Sequence, residues 1–559
     1  MTAATATPAL TPEEIDALEP AYLGPTWLRD PLGRWKLPER TIGWQIAGWC
    51  SEYLLAEGGG PWRFTAEQLR FVLWWYAVDE NGRFIYRTGV LQRMKGWGKD
   101  PLLAVLCLVE FVGPSRFAHW AKGDDVKRGQ ARRVGDPVGK PHPQAWVQVS
   151  AVNQSQTDNT MGMIPSLMSD HFMKTYRVKA GARLIRANGG RQRLEAVTSS
   201  YRALEGKRTT FTLLNETHHW VLGNNGHKMY ETIDGNATKK DSRYLAITNA
   251  YLPGEDSVAE RMRDAYNKIL EGRAVDVGFL YDSIEAHPKT PLTEEALQIV
   301  LPKIRGDAIW LRVETIIKSI QNTTLTVARS RRMWLNQVIA DEDALYGPEQ
   351  WIPLEVEGAT LQPGDDIVAG FDGGKTDDAT ALVVIRVKDM VAFTLGIWEK
   401  PDGPQGENWE VPRHAVDSAV HEMFRVFNVR AFYADVALWE SYITDWSEAY
   451  GEGLGAKATE RSPIGWDMRG SQKRNTQAHE RLMSSIFNGK LHHDGDLTLK
   501  RHVLNAHRRN TPYGVSFQKA SENRKVDAYA ALMLAHEALH DLRTRGRKTK
   551  PKTGRSYWM

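Results

Sequence analysis

Residues able to do chemistry fall into two groups that lie far apart in this chain. The first is Arg93-Met94-Lys95-Gly96-Trp97-Gly98-Lys99-Asp100, with an apolar run on either side. Consecutive backbone N–H groups of a glycine-rich turn can converge on phosphate oxygens, and the start of a following helix adds a favourable dipole. Lys99 would then neutralise phosphate charge. The strict phosphate-loop pattern is G-x-x-x-x-G-K-[ST]; here Arg93 replaces its first glycine and Asp100 its terminal hydroxyl residue. For Gly-x-Gly-Lys alone, a tight turn with a solvated lysine is the competing reading. Further along, Asn215-Glu216 closes the run FTLLNE, where one residue can orient a magnesium shell and the acid can activate water. Thr248-Asn249 ends the next apolar run with polar groups suited to sensing a γ-phosphate. His218 and His219 are adjacent and point to different sides of any element, which disfavours metal ligation.

The second group is three separated aspartates. Asp372 ends DIVAGFD, Asp435 ends VRAFYAD, and Asp527 lies near the start of a long apolar helix, with Asp378 in the Gly-rich turn after the first. At helical spacing Asp527 shares a face with Ala530, Ala531, Leu534 and Ala538, a small apolar face suited to packing on a sheet. A carboxylate buried there without a partner is costly, and convergence with two others adds repulsion. Divalent cations would resolve both. Two metals ~4 Å apart can align an attacking water and a leaving oxygen in phosphodiester cleavage. Singly, each aspartate reads more simply as a strand-end turn or a helix cap; the order of the three is the more specific signal. His492-His493-Asp494-Gly495-Asp496 reads as an Asp-Gly turn between helix and loop, not as a metal site.

Strands and helices must hold these groups. Periodicity predicts strands over Phe84–Met94, Trp146–Val152, Thr209–Glu216 and Tyr244–Ala250, with a helix over Pro101–Val112. In the second half, DIVAGFD, TALVVIRV and VAFTLGIWE read as three successive strands, followed by a helix, the strand VRAFYAD and further helices ending at Asp541. The basic stretch Ala121–Gln144 reads as a long loop. The expected layout is an arm over 1–40, a domain over 41–340, a linker over 341–362, a second domain over 363–542 and a basic tail over 543–559.

A length of 559 residues asks for two domains or more, and 42% hydrophobic content is enough for sizeable cores. No apolar run approaches the ~20 residues that span a bilayer, and the acidic N-terminal stretch does not read as a secretory signal. Cys50 and Cys107 are too few for a disulfide scaffold or a cysteine zinc cluster. The net charge of +4 excludes a global polycation. The final seventeen residues, RTRGRKTKPKTGRSYWM, hold seven Lys or Arg and no acid, which leaves −3 on the rest. Such a tail often serves as an interaction arm.

The order of KGWGKDPLLA, LEGKRTTFTLLNETHHW, AGFDGGKTDDATAL, FYADVALWESYITDW and RKVDAYAALMLA resembles the large terminase subunit of tailed bacteriophages, over nearly all of residues 55–541. The resemblance implies an α/β chain with a P-loop (additional-strand) ATPase domain followed by an RNase H-like nuclease domain. It implies ATP with Mg2+ at the first site, and Mg2+ or Mn2+ at the second. The implied work is translocation of double-stranded DNA into the procapsid and its endonucleolytic cleavage, in the host cytoplasm and transiently at the portal. The implied partners are duplex DNA, the portal protein, the small terminase subunit and further copies of the chain in a ring, the isolated chain being a monomer; no membrane is involved.

Residue by residue, the resemblance assigns Gln68, in RFTAEQLRFVLWW, to adenine contact. It assigns Arg93, Gly96, Gly98 and Lys99 to the phosphates, Asp100 and Asn215 to magnesium, and Glu216 to water activation. Thr248 and Asn249 would couple hydrolysis to DNA movement, and Arg202 would stabilise phosphoryl charge in a neighbouring subunit. Asp372, Asp435 and Asp527 would hold the nuclease metals, with Asp378 auxiliary. Asp100 stands where the family has Ser/Thr and Asn215 where it has Asp, a swap that would keep one carboxylate beside the ion. The rivals are another ATP-dependent helicase-nuclease, a structural DNA-binding protein with a decayed ATP site, and an RNase H-like recombinase with an unrelated N-terminal domain.

Overall fold

The computed structural model describes residues 11–198, 207–240, 242–322, 326–340, 343–375, 378–400, 409–520 and 524–545. The chain divides into two compact units, Met1–Leu252 with Asp256–Ile339, and Pro253–Glu255 with Ala340–Met559. Among the described residues, no helix is long and apolar enough to cross a membrane.

The first unit is built on strands β1 (Ala21–Leu23), β2 (Thr88–Gln92), β3 (Arg116–Trp120), β4 (Pro137–Lys140), β5 (Trp146–Ala151), β6 (Lys179–Ala180), β7 (Leu184–Ala187), β8 (Gln192–Thr198), β9 (Phe211–Leu214), β10 (Arg243–Thr248) and β11 (Phe279–Glu285). Nine form one sheet in the order β1-β11-β2-β10-β9-β5-β8-β7-β6. Its centre, from β11 through β8, is parallel. All of Phe211–Leu214 and Arg243–Thr248 is buried, as expected of strands covered on both faces. β10 lies between β2, which feeds the glycine loop, and β9, which ends in Asn215-Glu216. This inserted strand is the additional-strand P-loop arrangement.

Two expectations are corrected here. The arm over 1–40 contributes β1, which pairs antiparallel with β11 at the sheet edge. The basic stretch 121–144 is not one loop: Gly123–Lys127 is helical, and β4 pairs with β3 in a hairpin where Pro137 and Val138 meet Trp120 and His119.

The second unit carries β12 (Asp366–Gly373), β13 (Thr380–Arg386), β14 (Val391–Trp398), β15 (Asn428–Asp435), β16 (Gly465–Trp466), β17 (His492–His493), β18 (Ala506–Thr511) and β19 (Gly514–Lys519). Six form a sheet in the order β16-β15-β12-β13-β14-β17, while β18 and β19 form a separate hairpin. β12, β13 and β14 are antiparallel neighbours, and β15 joins β12 in parallel. Three antiparallel strands followed by parallel additions on the far side of the first is the RNase H-like topology.

Alternation along β12 and β13 sends Ile367, Ala369, Phe371, Leu382 and Val384 into one core and Val368, Ala381, Val383 and Ile385 into the other. The second core is closed by the helix Asp527–Arg545. A Cβ on Gly370 would lie 1.9 Å from the Ala531 carbonyl oxygen, so the helix backbone rides directly on β12 there. The stretch expected as a linker packs into this unit: Trp351 is fully buried and stacks on His493 with ring centroids 4.2 Å apart. His492 and His493 form the short strand β17, the Asp494-Gly495 pair follows it outside any strand or helix with Gly495 at φ 86°, and Asp496 caps the following helix by accepting from the Leu499 N–H.

Candidate functional sites

In the first unit the glycine loop joins β2 to the helix Lys99–Val112, with Gly98 as its left-handed N-cap at φ 90° and Gly96 at φ 79°. The positive φ at both positions is what calls for glycine, and Leu311 and the Trp310 ring lie close beside them, 2.8 and 3.0 Å from where a Cβ would be. The Trp310 indole N–H donates to the Gly96 carbonyl at 3.0 Å. Lys99 Nζ donates to the carbonyls of Arg93 and Met94 at 3.1 and 3.0 Å and to Asn249 Oδ1 at 2.6 Å. Burial pushes the Lys99 ammonium down to about 8, although Asp100 and Glu216 pull it up. Burial also raises the Asp100 carboxyl, with Lys99 opposing the rise and Glu216 adding to it.

Glu216 sits at φ 53°, a left-handed conformation unfavourable for a residue with a Cβ, and its Oε2 accepts from Gln156 Nε2 at 2.7 Å. Asn215 donates to the Gln156 carbonyl and to Thr160 Oγ1, both at 3.2 Å, while its Oδ1 is buried without a partner. That orphaned acceptor, the buried lysine and the loop at a helix start are a donor set that fits a nucleotide with its magnesium. Thr248 Oγ1 lies 3.2 Å from His218 Nδ1, so β10 brings Thr248 and Asn249 to the same place.

Arg93 is a correction. Its guanidinium is 1% exposed, forms an ion pair with Asp282 on β11, donates to the Gln92 carbonyl, and lies over the rings of Trp27 and Trp97. It braces the base of the loop and is not free for a phosphate. Gln68 caps its own helix through Thr65, with its Nε2 3.7 Å from where a Gly98 Cβ would be, which puts it beside the loop. Arg202 lies outside the described residues.

In the second unit, geometry explains why the aspartates meet. Phe371 belongs to one core, so its neighbours Gly370 and Asp372 face the closing helix. Two residues along β12 from Gly370 and one helical turn back from Ala531 each cover about 6 Å, which leads to Asp372 and Asp527. A cavity of about 440 Å³ is lined by Asp372, Asp378, Asp435 and Asp527 together with Lys375, Arg469 and Lys519. Burial, then the carboxylates of Asp527, Asp435 and Asp378, push Asp372 well above the usual carboxylate range, with Lys519 opposing. Burial raises Asp435, whose Oδ1 accepts from the Met468 N–H at 3.0 Å, and burial raises Asp527, whose Oδ2 has no partner.

Among the described residues, no three His, Cys, Asp or Glu side chains are already grouped as tightly as a metal cage requires. The carboxylates thus share a cavity and a field, not a preformed coordination sphere. An orphaned buried carboxylate oxygen among repelling neighbours fits a divalent cation. Asp378 is held by Lys519, and by Lys525 at 3.7 Å, so it would have to leave them to ligate.

Sequence reasoning missed Gln156, Asp282, Trp310 and Lys519. A mid-helix glutamine or a tryptophan beyond the last strand carries no local pattern that ties it to a loop far away in the chain.

The sequence is 40% identical over 585 aligned positions to the gene 13 protein of Mycobacterium phage L5, covering 94% of this chain and 96% of that protein. It is 38% identical to the gene 13 protein of Mycobacterium phage D29, covering 97% and 98%. No protein-family model matches. Among solved structures it is similar to the HK97 bacteriophage large terminase, with a TM-score of 0.48 and 15% identity over 89% of this chain and 100% of that one.

Proposed function

This chain belongs to the family of the mycobacteriophage gene 13 proteins, and from that premise we propose that it is a large terminase subunit, an ATP-driven packager and cutter of double-stranded DNA. The observation that carries the reading is the pairing, in one chain, of an additional-strand phosphate-loop sheet with an RNase H-like sheet whose strand ends and closing helix gather buried aspartates.

At the first site the loop N–H groups and Lys99 bind the β- and γ-phosphates of ATP, with Gln68 toward the base. To do so Lys99 exchanges the Arg93 and Met94 carbonyls and Asn249 Oδ1 for phosphate oxygens, which frees Asn249 at the end of β10. Occupancy is thereby felt by the strand between the loop and the acidic strand, the route by which Thr248 and Asn249 couple hydrolysis to DNA movement. Glu216, oriented by Gln156, holds the attacking water and takes its proton. Asp100 and Asn215 Oδ1 would hold magnesium, which when bound supplies charge neutralisation at the phosphates. Arg202 is the proposed stabilising arginine in a neighbouring subunit.

At the second site Asp372, Asp435 and Asp527, with Asp378 beside them, would hold Mg2+ or Mn2+, which when bound supply water activation and leaving-group stabilisation. Lys375, Arg469 and Lys519 on the cavity wall receive DNA phosphates, a contact that tolerates any sequence. The portal protein, the small subunit and other copies in a ring are the proposed partners, in the host cytoplasm.

The test is separability. Lys99→Ala should abolish DNA-stimulated ATP hydrolysis and leave Mn2+-dependent cleavage of plasmid DNA, and Asp372→Ala should do the reverse. Loss of both activities in each variant, or of neither, sinks the reading.

A further inference from the structure

We infer that His502 and Glu399 are positioning residues of the nuclease site, a buried hydrogen-bond relay that fixes the first turn of the closing helix and so holds Asp527 where a cation can use it. The inference rests on the nuclease reading above and deepens it.

The first N–H groups of a helix lack intrahelical partners and are ordinarily satisfied by an oxygen on the N-cap side chain. Here the residue before Asp527 is Val526, which has none. The gap is filled from another helix, Leu497–Leu504: the Ala528 N–H donates to His502 Nδ1 at 2.9 Å. A ring nitrogen that accepts from an N–H carries no proton, so the imidazole proton is on Nε2 and is donated to Glu399 Oε1 at 2.8 Å. Glu399 follows β14 and is also gripped by Arg501. Burial would raise the Glu399 carboxyl, but the hydrogen bond from His502 and the charge of Arg501 outweigh it and hold it below the usual carboxylate range.

His502 is 0% exposed, so water cannot substitute for either bond. Beyond the end of the same helix, Asn505 donates to the Lys525 carbonyl at 3.2 Å. The turn carrying Asp527 is therefore tied on both sides, at residues 525 and 528, while the Asp527 Oδ2 between them remains without a partner. Outer groups that orient a ligand in this way are worth about 10–100-fold in metal affinity.

The experiment uses the full chain. Mn2+ binding is measured calorimetrically, and plasmid cleavage is followed against Mn2+ concentration, for wild type, His502→Ala, Glu399→Ala and Glu399→Gln. His502→Ala and Glu399→Ala should bind Mn2+ about 10-fold more weakly or worse. They should recover cleavage at high Mn2+ and keep wild-type DNA-stimulated ATPase. Glu399→Gln retains an acceptor for the Nε2 proton and should restore most of the affinity. A merely structural role would lower the melting temperature without moving the Mn2+ dependence. Wild-type Mn2+ affinity in folded His502→Ala overturns the relay, and should that variant not fold, wild-type affinity in Glu399→Ala does so. If the relay variants match wild type while Asp372→Ala is inactive, only the relay falls. A wild-type chain that neither binds Mn2+ nor cleaves DNA overturns the nuclease reading itself.

Discussion

Arg93 and Glu67 show how a single side chain's surroundings decide its role. Arg93 occupies a phosphate-loop position but is committed to Asp282 in the dry interior. Removing one partner of a buried pair leaves the other charge uncompensated. Arg93→Ala should therefore destabilise the first unit by about 3–5 kcal/mol in urea denaturation, with nucleotide affinity in the surviving folded fraction little changed. An unaltered unfolding midpoint would contradict this. Glu67 exchanges hydrogen bonds with Asp307 through both backbone N–H groups, and burial pushes its carboxyl from 4.5 up to about 7, with Arg93 opposing and Asp307 adding to the rise. In that window the folded chain binds more protons than the unfolded chain, so this group's stabilisation is complete below about 4.5 and is lost as pH rises through about 7. Glu67→Gln should flatten that part of the curve of melting temperature against pH. Identical slopes would refute the assignment.

At the scale of elements, the closing helix depends on one residue of β12. Gly370→Ala would drive a methyl group into the Ala531 carbonyl, a backbone atom that cannot step aside. The expected outcome is a loss of about 3 kcal/mol in the second unit and weak cleavage, because Asp527 shifts with its helix, while ATP hydrolysis persists. Normal cleavage by this variant would show that the helix can slide. This element was legible in the sequence, since the small residues Ala530, Ala531 and Ala538 beside a lone aspartate demand a close sheet contact. So were the strands that end in Asp372 and Asp435, whose β-branched and apolar runs stop abruptly at an acid. What could not be read is where a long side chain turns. Arg93 looks like a loop residue until Asp282 is seen beneath it. His502 looks like a helix-end histidine until Ala528 is seen above it. Both partnerships are made by tertiary packing, and neither leaves a local period or spacing behind.

Across the whole molecule, sheet order discriminates among the rivals better than any motif does. A helicase with two motor cores calls for a second phosphate-loop sheet, and the second unit has an RNase H-like sheet instead. A recombinase with an unrelated first domain would not need β10 inserted between the loop strand and the acidic strand. If copies act as a ring and lend each other an arginine, mixing wild type with Lys99→Ala should lower DNA-stimulated ATPase more steeply than the fraction of active subunits. A proportional decline would indicate that each chain completes its own site.

The position of Asp527 at the start of the last described helix has a consequence for biosynthesis. Asp372 and Asp435 leave the ribosome before Asp527, which comes on an element that docks over Gly370 and follows the whole six-stranded sheet in the chain. A nascent chain, or one interrupted before Asp527, carries Asp372, Asp378 and Asp435 but lacks the carboxylate that the closing helix brings. The carboxylate set around the cavity is thus completed only when the last described helix has been made and has docked.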